Sequence, residues 1–257
     1  MIMAGKSKTL LIDAGNTRLK WCVLQAGNMG KSAAFVYDWP SLLEQLGSQF
    51  AALAGDSLLR QVLLCNVAGS RVIDAVKNWA AAQGVAVKEI TAMAEAYGVR
   101  NAYGQPQLLG ADRWAGLVAA RRLMTGSACM IDCGSALTVD VMTQDGLHKG
   151  GIILPGLALM AQSLATNTDA LPELSVNRTP AYLGQDTASA IHAGIVAAAV
   201  GAIMRTVNAF QTNTPGALPC IITGGDAEKL LPLLPEEFHY EPDWVLKGLV
   251  VMAEDLA

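Results

Sequence analysis

One pattern occurs twice in this chain and limits its possible folds more than any other. Residues 10–25, LLIDAGNTRLKWCVLQ, open with a short apolar run that ends on Asp13 and pass through Gly15, Asn16 and Thr17. They return with apolar residues at every second position, Leu19, Trp21 and Val23. A run of Leu and Ile closed by glycine and small polar residues reads as a buried strand entering a tight turn. The period of two that follows reads as the strand coming back. Residues 129–142, CMIDCGSALTVDVM, repeat this: an apolar strand, Ile-Asp-x-Gly, two small residues, then Leu137, Val139 and Val141 on alternate positions. Asp13 and Asp132 stand 119 residues apart, the span of one small domain.

The elements after each hairpin come in the same order. Strands are predicted at 9–13, 18–25 and 33–37, then a helix at 41–54, a strand at 61–67, a helix at 70–83 and a strand at 85–91. A further helix starts at Asp112, with Trp114, Leu117, Val118 and Arg121 at turn spacing. After the second hairpin, a strand is predicted at 147–154, helices at 156–166 and 187–211, a strand at 220–223, a helix at 226–234, a strand at 238–241 and a last helix from Trp244. This predicts an α/β chain of two duplicated domains, 1–120 and 121–257, facing each other across a cleft. At 257 residues the length also suits two domains better than one, since single cores seldom grow larger. Residues 98–113, GVRNAYGQPQLLGADR, form the longest stretch without a period, and loops of that length are usually functional.

Composition removes several classes of function. A hydrophobic fraction of 52% against 16% charged residues fits a well-buried soluble protein and excludes disorder. The net charge of −4, with no basic stripe, leaves no electrostatic footprint for nucleic acid. Lys6 and Lys8 precede an apolar run that Asp13 cuts off too early for a signal segment, so the expected location is cytoplasmic. The longest apolar run, 193–204, is 12 residues, short of the roughly 20 that span a bilayer, and predicts a buried helix or a helix–helix contact. Five cysteines without a C-x-x-C pair and three scattered histidines suit a reducing compartment and argue against a zinc site. Gly5-Lys6-Ser7 looks like the end of a phosphate loop, but it precedes a strand where that loop must follow one.

For one Asp-x-Gly-Asn alone, Asp13 and Asn16 read as turn formers that bond nearby backbone N–H groups. Two such hairpins facing one cleft change that reading. Their carboxylates can hold a Mg²⁺ bridging nucleotide phosphates, and glycine beside small polar residues lets backbone N–H groups approach phosphate oxygens. Lys20 either adds a positive charge there or points to solvent. Asp112, at a helix start after Gly110, is by physics alone an N-cap, as is Thr187. Asp140 reads as a solvated strand residue, and Thr223-Gly-Gly-Asp226 as a strand-to-helix turn able to pack on a nucleoside.

The duplicated hairpin resembles that of the actin, sugar-kinase and Hsp70 superfamily, with its ribonuclease H-like domains. Within it, almost the whole chain is similar to the type III pantothenate kinases. The carriers are DAGNTRLK (13–20), YGQPQLLGADR (103–113), DCGSALTVD (132–140), GGIILPG (150–156), LGQDTASAIHAG (183–194) and ITGGDA (222–227). Ser135 stands where threonine is usual, Asp186 where asparagine is, and Cys133 where a larger residue is common.

The resemblance implies ATP-dependent phosphorylation of pantothenate to 4′-phosphopantothenate, the first step toward coenzyme A. It implies an ATP site at Asp13, Ala14, Gly15, Asn16, Thr17, Arg18, Leu19, Lys20 and Ser135, with Mg²⁺ at Asp13 and a monovalent cation, K⁺ or NH₄⁺, at Asp132. Asp112 is then the general base, and Tyr103, Gly110, Ala111, Asp112 and Arg113 bind pantothenate, whose carboxylate an arginine can clamp. It also implies a homodimer in which Thr187 reaches the neighbouring subunit's site. Ala190, Gly194, Ala197, Ala198 and Gly201 give the 187–211 helix a smooth face, which either packs on its own domain or meets that partner. Two other readings of the superfamily are a non-catalytic regulatory accessory protein and an actin-like filament protein.

Overall fold

The computed structural model describes residues 7–168, 171, 182–212 and 216–255; Gly5 and Lys6 lie outside them. The chain divides into two compact units, Met1–Leu123 with Asp243–Ala257, and Met124–Pro242. The first begins β1 (Lys8–Ala14), β2 (Arg18–Gln25), β3 (Asn28–Met29), β4 (Ala33–Val36) and α1 (Leu42–Gln49). It continues β5 (Leu59–Asn66), α2 (Ser70–Ala82), β6 (Ala86–Glu89), β7 (Glu95–Ala96), β8 (Val99–Arg100) and α3 (Ala111–Leu123). The second runs β9 (Ala128–Cys133), β10 (Ala136–Met142), β11 (His148–Pro155), α4 (Leu157–Asn167), α5 (Thr187–Thr212), β12 (Cys220–Thr223), α6 (Ala227–Leu230) and β13 (Phe238–Tyr240). Helix α7 (Trp244–Glu254) returns to the first unit. The linear division at residue 120 had left that helix in the second half.

In the first unit β1 is central, antiparallel to β2 and parallel to β5, in a sheet ordered β3-β2-β1-β5-β6 with β4 also on β2. Successive strand residues point to opposite faces. Leu10, Ile12, Ala14 and Leu19 join Phe50, Leu64, Val76 and Trp79 in a core under α1 and α2. There Phe50 meets Trp21 and Trp79 edge-on, at 5.1 and 4.9 Å between centroids. The other face carries Leu11, Asp13, Lys20 and Cys22, and α7 lies against β1, β2 and β5. A β1 buried on both faces explains why its sequence runs apolar without alternation.

Helix α3 is buried without a break from Arg113 to Ala120, so it has no polar face. Its neighbour α7 crosses it backbone to backbone: a Cβ on Gly248 would lie 2.1 Å from the Ala115 carbonyl oxygen. The Trp244 indole N–H donates to Gly116 O at 3.1 Å beside this crossing. Leading into the stretch without a period, β7 and β8 form a hairpin through Tyr97 and Gly98, both at positive φ (54° and 73°), as a two-residue loop requires. Strands of two residues are too short to show a period. The predicted 41–54 helix stops at Gln49, where the Phe50 N–H still bonds Leu46 O before a 3-10 turn, Ala51–Leu53, tightens the chain.

The second unit repeats the plan, with β9 central in the order β11-β10-β9-β12-β13. Each hairpin turn closes through its glycine N–H, Gly15 to Arg18 O three residues on and Gly134 to Ala136 O two residues on, both at 3.1 Å, so the second turn is one residue shorter. Cys129, Ile131, Leu137 and Val139 pack with Leu157 of α4 and with Ile195, Val196, Ala199 and Ile203 of α5. By length and composition α5 is long and apolar enough to cross a membrane, and this row of side chains is held in the core. Its smooth face is not: Ala190, Gly194, Ala197, Ala198 and Gly201 are all exposed, so among the described residues nothing of its own domain covers that face. The predicted 226–234 helix shortens to α6 and a 3-10 turn, Leu231–Leu233, since Pro232 lacks the N–H that an α-helix needs.

Asp140 departs from expectation. It is 2% exposed, and its Oδ1 accepts from His148 Nε2 at 2.8 Å across the β10–β11 pair. Thr138, two residues back on the same face, is buried as well, so the polar positions of β10 belong to a covered face rather than a solvated one.

Candidate active site

The turn at the end of β1 exposes backbone in a fixed shape. Asp13 is half-buried at its mouth, opposite Lys20 on β2. Asn16, Thr17 and Arg18 are exposed, whereas Ala14 and Leu19 belong to the core and can offer a ligand only backbone. Gly15 O accepts the Tyr37 hydroxyl at 2.8 Å, and Ala14 O accepts the Val67 N–H at 3.0 Å. A Cβ on Gly15 would come 3.3 Å from Arg18 O, tighter than most such contacts, so a small residue suits the turn.

Lys20 points neither to open solvent nor to an unoccupied space. Its Nζ lies 3.3 Å from Asp243 Oδ1, at the start of α7, and that carboxylate also accepts the Ser32 hydroxyl at 2.9 Å. Lys20 therefore stands between two acidic residues, Asp13 across the strand pair and Asp243.

On the same unit, α3 presents Asp112 and Arg113 in its first turn. Asp112 Oδ1 turns back to accept the Arg113 N–H at 2.7 Å, and a Cβ on Gly110 would sit 2.5 Å from that oxygen. Glycine at 110 therefore makes room for the carboxylate. Ala111 and Arg113 are buried, each 8% exposed. The guanidinium Nη1 donates to the Tyr103 hydroxyl at 2.8 Å, with its carbon 5.7 Å from the ring centroid. Tyr103 is placed in turn by Asn101, whose Oδ1 accepts the Tyr103 N–H at 3.0 Å and whose Nδ2 donates to Pro106 O at 3.1 Å. A guanidinium held in plane this way is suited to a carboxylate.

In the second unit Asp132 is half-buried and Ser135 exposed at the matching turn. Gly156 and Gly224 close on this turn: a Cβ would lie 2.2 Å from Gly134 O in the first case and 2.5 Å from both Asp132 Oδ1 and Cys133 O in the second. Gly224 also has φ +95°, so two requirements for glycine coincide there. Burial first, then the charges of Asp132 and Asp226, push the Cys133 thiol far above its ordinary pKa. Asp226 lies beside the turn, its N–H donating to Cys133 O at 2.9 Å and its carboxylate accepting Lys229 Nζ at 2.6 Å.

At the start of α5, Thr187 is the first helical residue and exposed, and Asp186 does the capping. Asp186 Oδ1 accepts the Ser189 N–H at 2.8 Å while Ser189 Oγ accepts the Asp186 N–H at 3.2 Å, a reciprocal cap that holds the Asp186 carboxyl below its usual pKa. That accounts for an acidic residue at 186.

The structure thus gathers Asp13, Gly15–Lys20, Tyr103 and Gly110–Arg113 in one unit, and Asp132, Ser135 and Thr187 in the other. Among the described residues no group of three or more His, Cys, Asp or Glu is arranged to hold a metal. A Mg²⁺ held mainly by substrate phosphates and water needs no such group. A groove lined by Lys8, Val23, Gln25 and Met29 lies at the far end of β1 and β2 from Asp13, and its lysine is closed on Asp56 at 2.7 Å. Tyr37, Asn101, Ser32 and Asp243 had no signal in the sequence, because each acts through a partner far along the chain or inside a loop without a period.

The type III pantothenate kinase family profile matches residues 9–209. The chain is 37% identical over 252 residues to a type III pantothenate kinase from Nitrosococcus oceani, covering 96% of this chain and 94% of the relative. It is 41% identical over 248 residues to that of Aromatoleum aromaticum, covering 96% and 98%. Among solved structures, a Baf family protein from Campylobacter jejuni superposes with a TM-score of 0.59 at 19% identity, covering 96% of this chain and all of that one. The ethanolamine utilization protein EutJ from Carboxydothermus hydrogenoformans gives 0.53 at 15% identity, covering 96% and 89%. MreB 5 of Spiroplasma citri, solved with AMPPNP, gives 0.50 at 11%, covering 97% of each. These structures establish the actin-like ATPase fold of the chain.

Proposed function

Because the chain belongs to the type III pantothenate kinase family, we infer that it transfers the γ-phosphoryl group of ATP to the primary hydroxyl of pantothenate, the first step of coenzyme A synthesis. The observation that carries this reading is the pairing, in one unit, of the Asp13–Lys20 turn with a helix start that offers Asp112 beside the Tyr103-held Arg113. Phosphoryl transfer needs charge neutralisation on the phosphates, an in-line acceptor and a group to take its proton. Asp112 accepts the proton of the pantothenate hydroxyl. Arg113, with its plane set by Tyr103, holds the pantothenate carboxylate. The turn 15–17 and Lys20 hold the phosphates, and Ser135 contacts ATP. Mg²⁺ at Asp13 would supply charge neutralisation on the phosphate oxygens.

Asp132 is assigned a monovalent cation, K⁺ or NH₄⁺, a reading supported by its half-buried carboxylate at a turn on which Gly156 and Gly224 close. The active form is a homodimer that joins through the exposed small-residue face of α5, with Thr187 at the partner's pantothenate site. Support comes from the exposure of every residue of that face and of Thr187 itself. Neither the regulatory reading nor the filament reading gives Asp112 and Arg113 a task.

Purified protein given ATP, Mg²⁺, pantothenate and K⁺ or NH₄⁺ will form 4′-phosphopantothenate, detected by mass spectrometry. Absence of product with every monovalent cation refutes the assignment. Mixing inactive Asp112→Asn subunits with inactive Thr187 variants will restore part of the activity if the site is shared, and a fully active monomer by sedimentation rules sharing out.

A further inference from the structure

We propose that Asp243 is a positioning residue for the nucleotide: its carboxylate holds the Lys20 ammonium where the phosphates bind. This rests on the reading of Lys20 as a phosphate contact. Asp243 occupies the N-cap position of α7, where an aspartate ordinarily accepts a hydrogen bond from the N–H of the second or third helical residue. Here it makes no side-chain cap bond. Its Oδ2 instead accepts Ser32 Oγ at 2.9 Å, and its Oδ1 lies 3.3 Å from Lys20 Nζ. Ser32 precedes β4 and lies 211 residues away in sequence. The carboxylate has thus turned from its own helix toward the hairpin that carries Asp13.

Two further observations make Lys20 the positioned member of the pair. The backbone of Asp243 is fixed on both sides: its carbonyl accepts the Lys247 N–H at 2.9 Å, and the next residue, Trp244, is buried and bonded to Gly116 O at 3.1 Å. Lysine has a long flexible stem and gains most from an external anchor. Both side chains are largely covered, 14% and 22% exposed, so salt screens their attraction less than it would on the surface. Cys22, on the same face of β2 as Lys20, has its thiol pushed up to about 12, by burial first and then by the Asp243 charge, as a carboxylate facing this side of the sheet requires. The contact at 3.3 Å is an ion pair without a hydrogen bond to Oδ1, and an ammonium carries several donors, so the attraction aims the group without excluding phosphate oxygens. Trp244 further links this anchor to α3, the helix that carries Asp112 in its first turn.

The test is Asp243→Asn, which keeps the size, the capping ability and a partner for Ser32 while removing the charge. Isothermal titration with a non-hydrolysable ATP analogue and steady-state kinetics will show the ATP Kd and KM raised about ten-fold, with the pantothenate KM and Tm unchanged. Lys20→Met will weaken ATP at least as much, and adding Asp243→Asn to it will cause no further loss. Ser32→Ala, remote from α7 in sequence, will weaken ATP in the same direction by less and serves if the Asp243 variant is unstable. Unchanged or tighter ATP binding in Asp243→Asn, or an effect that persists without Lys20, overturns the proposal alone. Lys20→Met with normal ATP affinity removes Lys20 from the phosphates and defeats both readings.

Discussion

Gly110→Ala will separate the position of the Asp112 carboxylate from everything else at the acceptor site. Gly110 is not in the left-handed region, so its backbone accepts alanine. The new Cβ would stand 2.5 Å from Asp112 Oδ1, whereas ordinary contact begins at 3.4 Å, so the oxygen must retreat by 3.4 − 2.5, or about 0.9 Å. Arg113 Cδ, at 3.8 Å, is already at contact distance and has no reason to move. A misplacement of about 1 Å at a reacting group costs on the order of 10²-fold in rate. Stability will change little, since replacing glycine gains about 0.4–1 kcal/mol through the unfolded state and losing the Arg113 N–H bond to Oδ1 costs about 1 kcal/mol. Differential scanning fluorimetry will place the Tm within about 4 °C of the parent. A coupled ADP-release assay will give a kcat about 100-fold lower with little change in pantothenate KM. Asp112→Asn sets the scale, with a loss of roughly 10²–10⁴, and Gly110→Ala will add nothing to it. A Gly110→Ala enzyme that folds and turns over within about threefold of the parent refutes the role of Asp112 as the base.

Tyr103→Phe removes the 2.8 Å bond to Arg113 and keeps the ring, so the pantothenate KM will rise about 5- to 10-fold while the ATP KM stays put, as initial rates will show. All five cysteines are buried thiols, with Cys22 pushed up to about 12 and Cys129 raised by its hydrogen bond with Cys220 and by burial. Native protein at pH 8 will therefore resist a thiol-disulfide reagent that titrates all five after guanidinium unfolding. The Lys8 bond lowers the Asp56 pKa, and a depressed carboxylate stabilises the fold above its unfolded value and loses that contribution as pH falls through its folded one. Urea midpoints of the parent and Lys8→Met will accordingly differ by a constant amount between about pH 6 and 8 and converge below about pH 4.

The two hairpins were legible because period-two alternation and an Asp-x-Gly turn are local patterns, and the structure keeps both within one residue or so of their predicted ends. The start of α3 was legible for the same reason. What sequence withheld was which surfaces are covered. In β10 the order Thr138, Val139, Asp140 reads as alternation between core and solvent, yet both faces are buried and the partner of Asp140 is a histidine on the next strand. Lys20 had two readings, solvent or phosphate, and neither foretells the ion pair with Asp243, because 223 residues separate the partners in sequence (243 − 20). A strongly apolar α7 announces that it is buried without naming what buries it, so a linear cut gave it to the wrong unit.

The return of α7 has a consequence for how the protein is made. During synthesis the ribosome completes α3 and then adds more than a hundred residues before it reaches Trp244. Throughout that interval Gly116 and Ala115 face a missing neighbour, while by its end the contiguous Met124–Pro242 unit has every strand of its sheet. The unit that emerges second is thus the first able to close, and the hairpin bearing Asp13 and Lys20 gains its backing only when α7 leaves the exit tunnel.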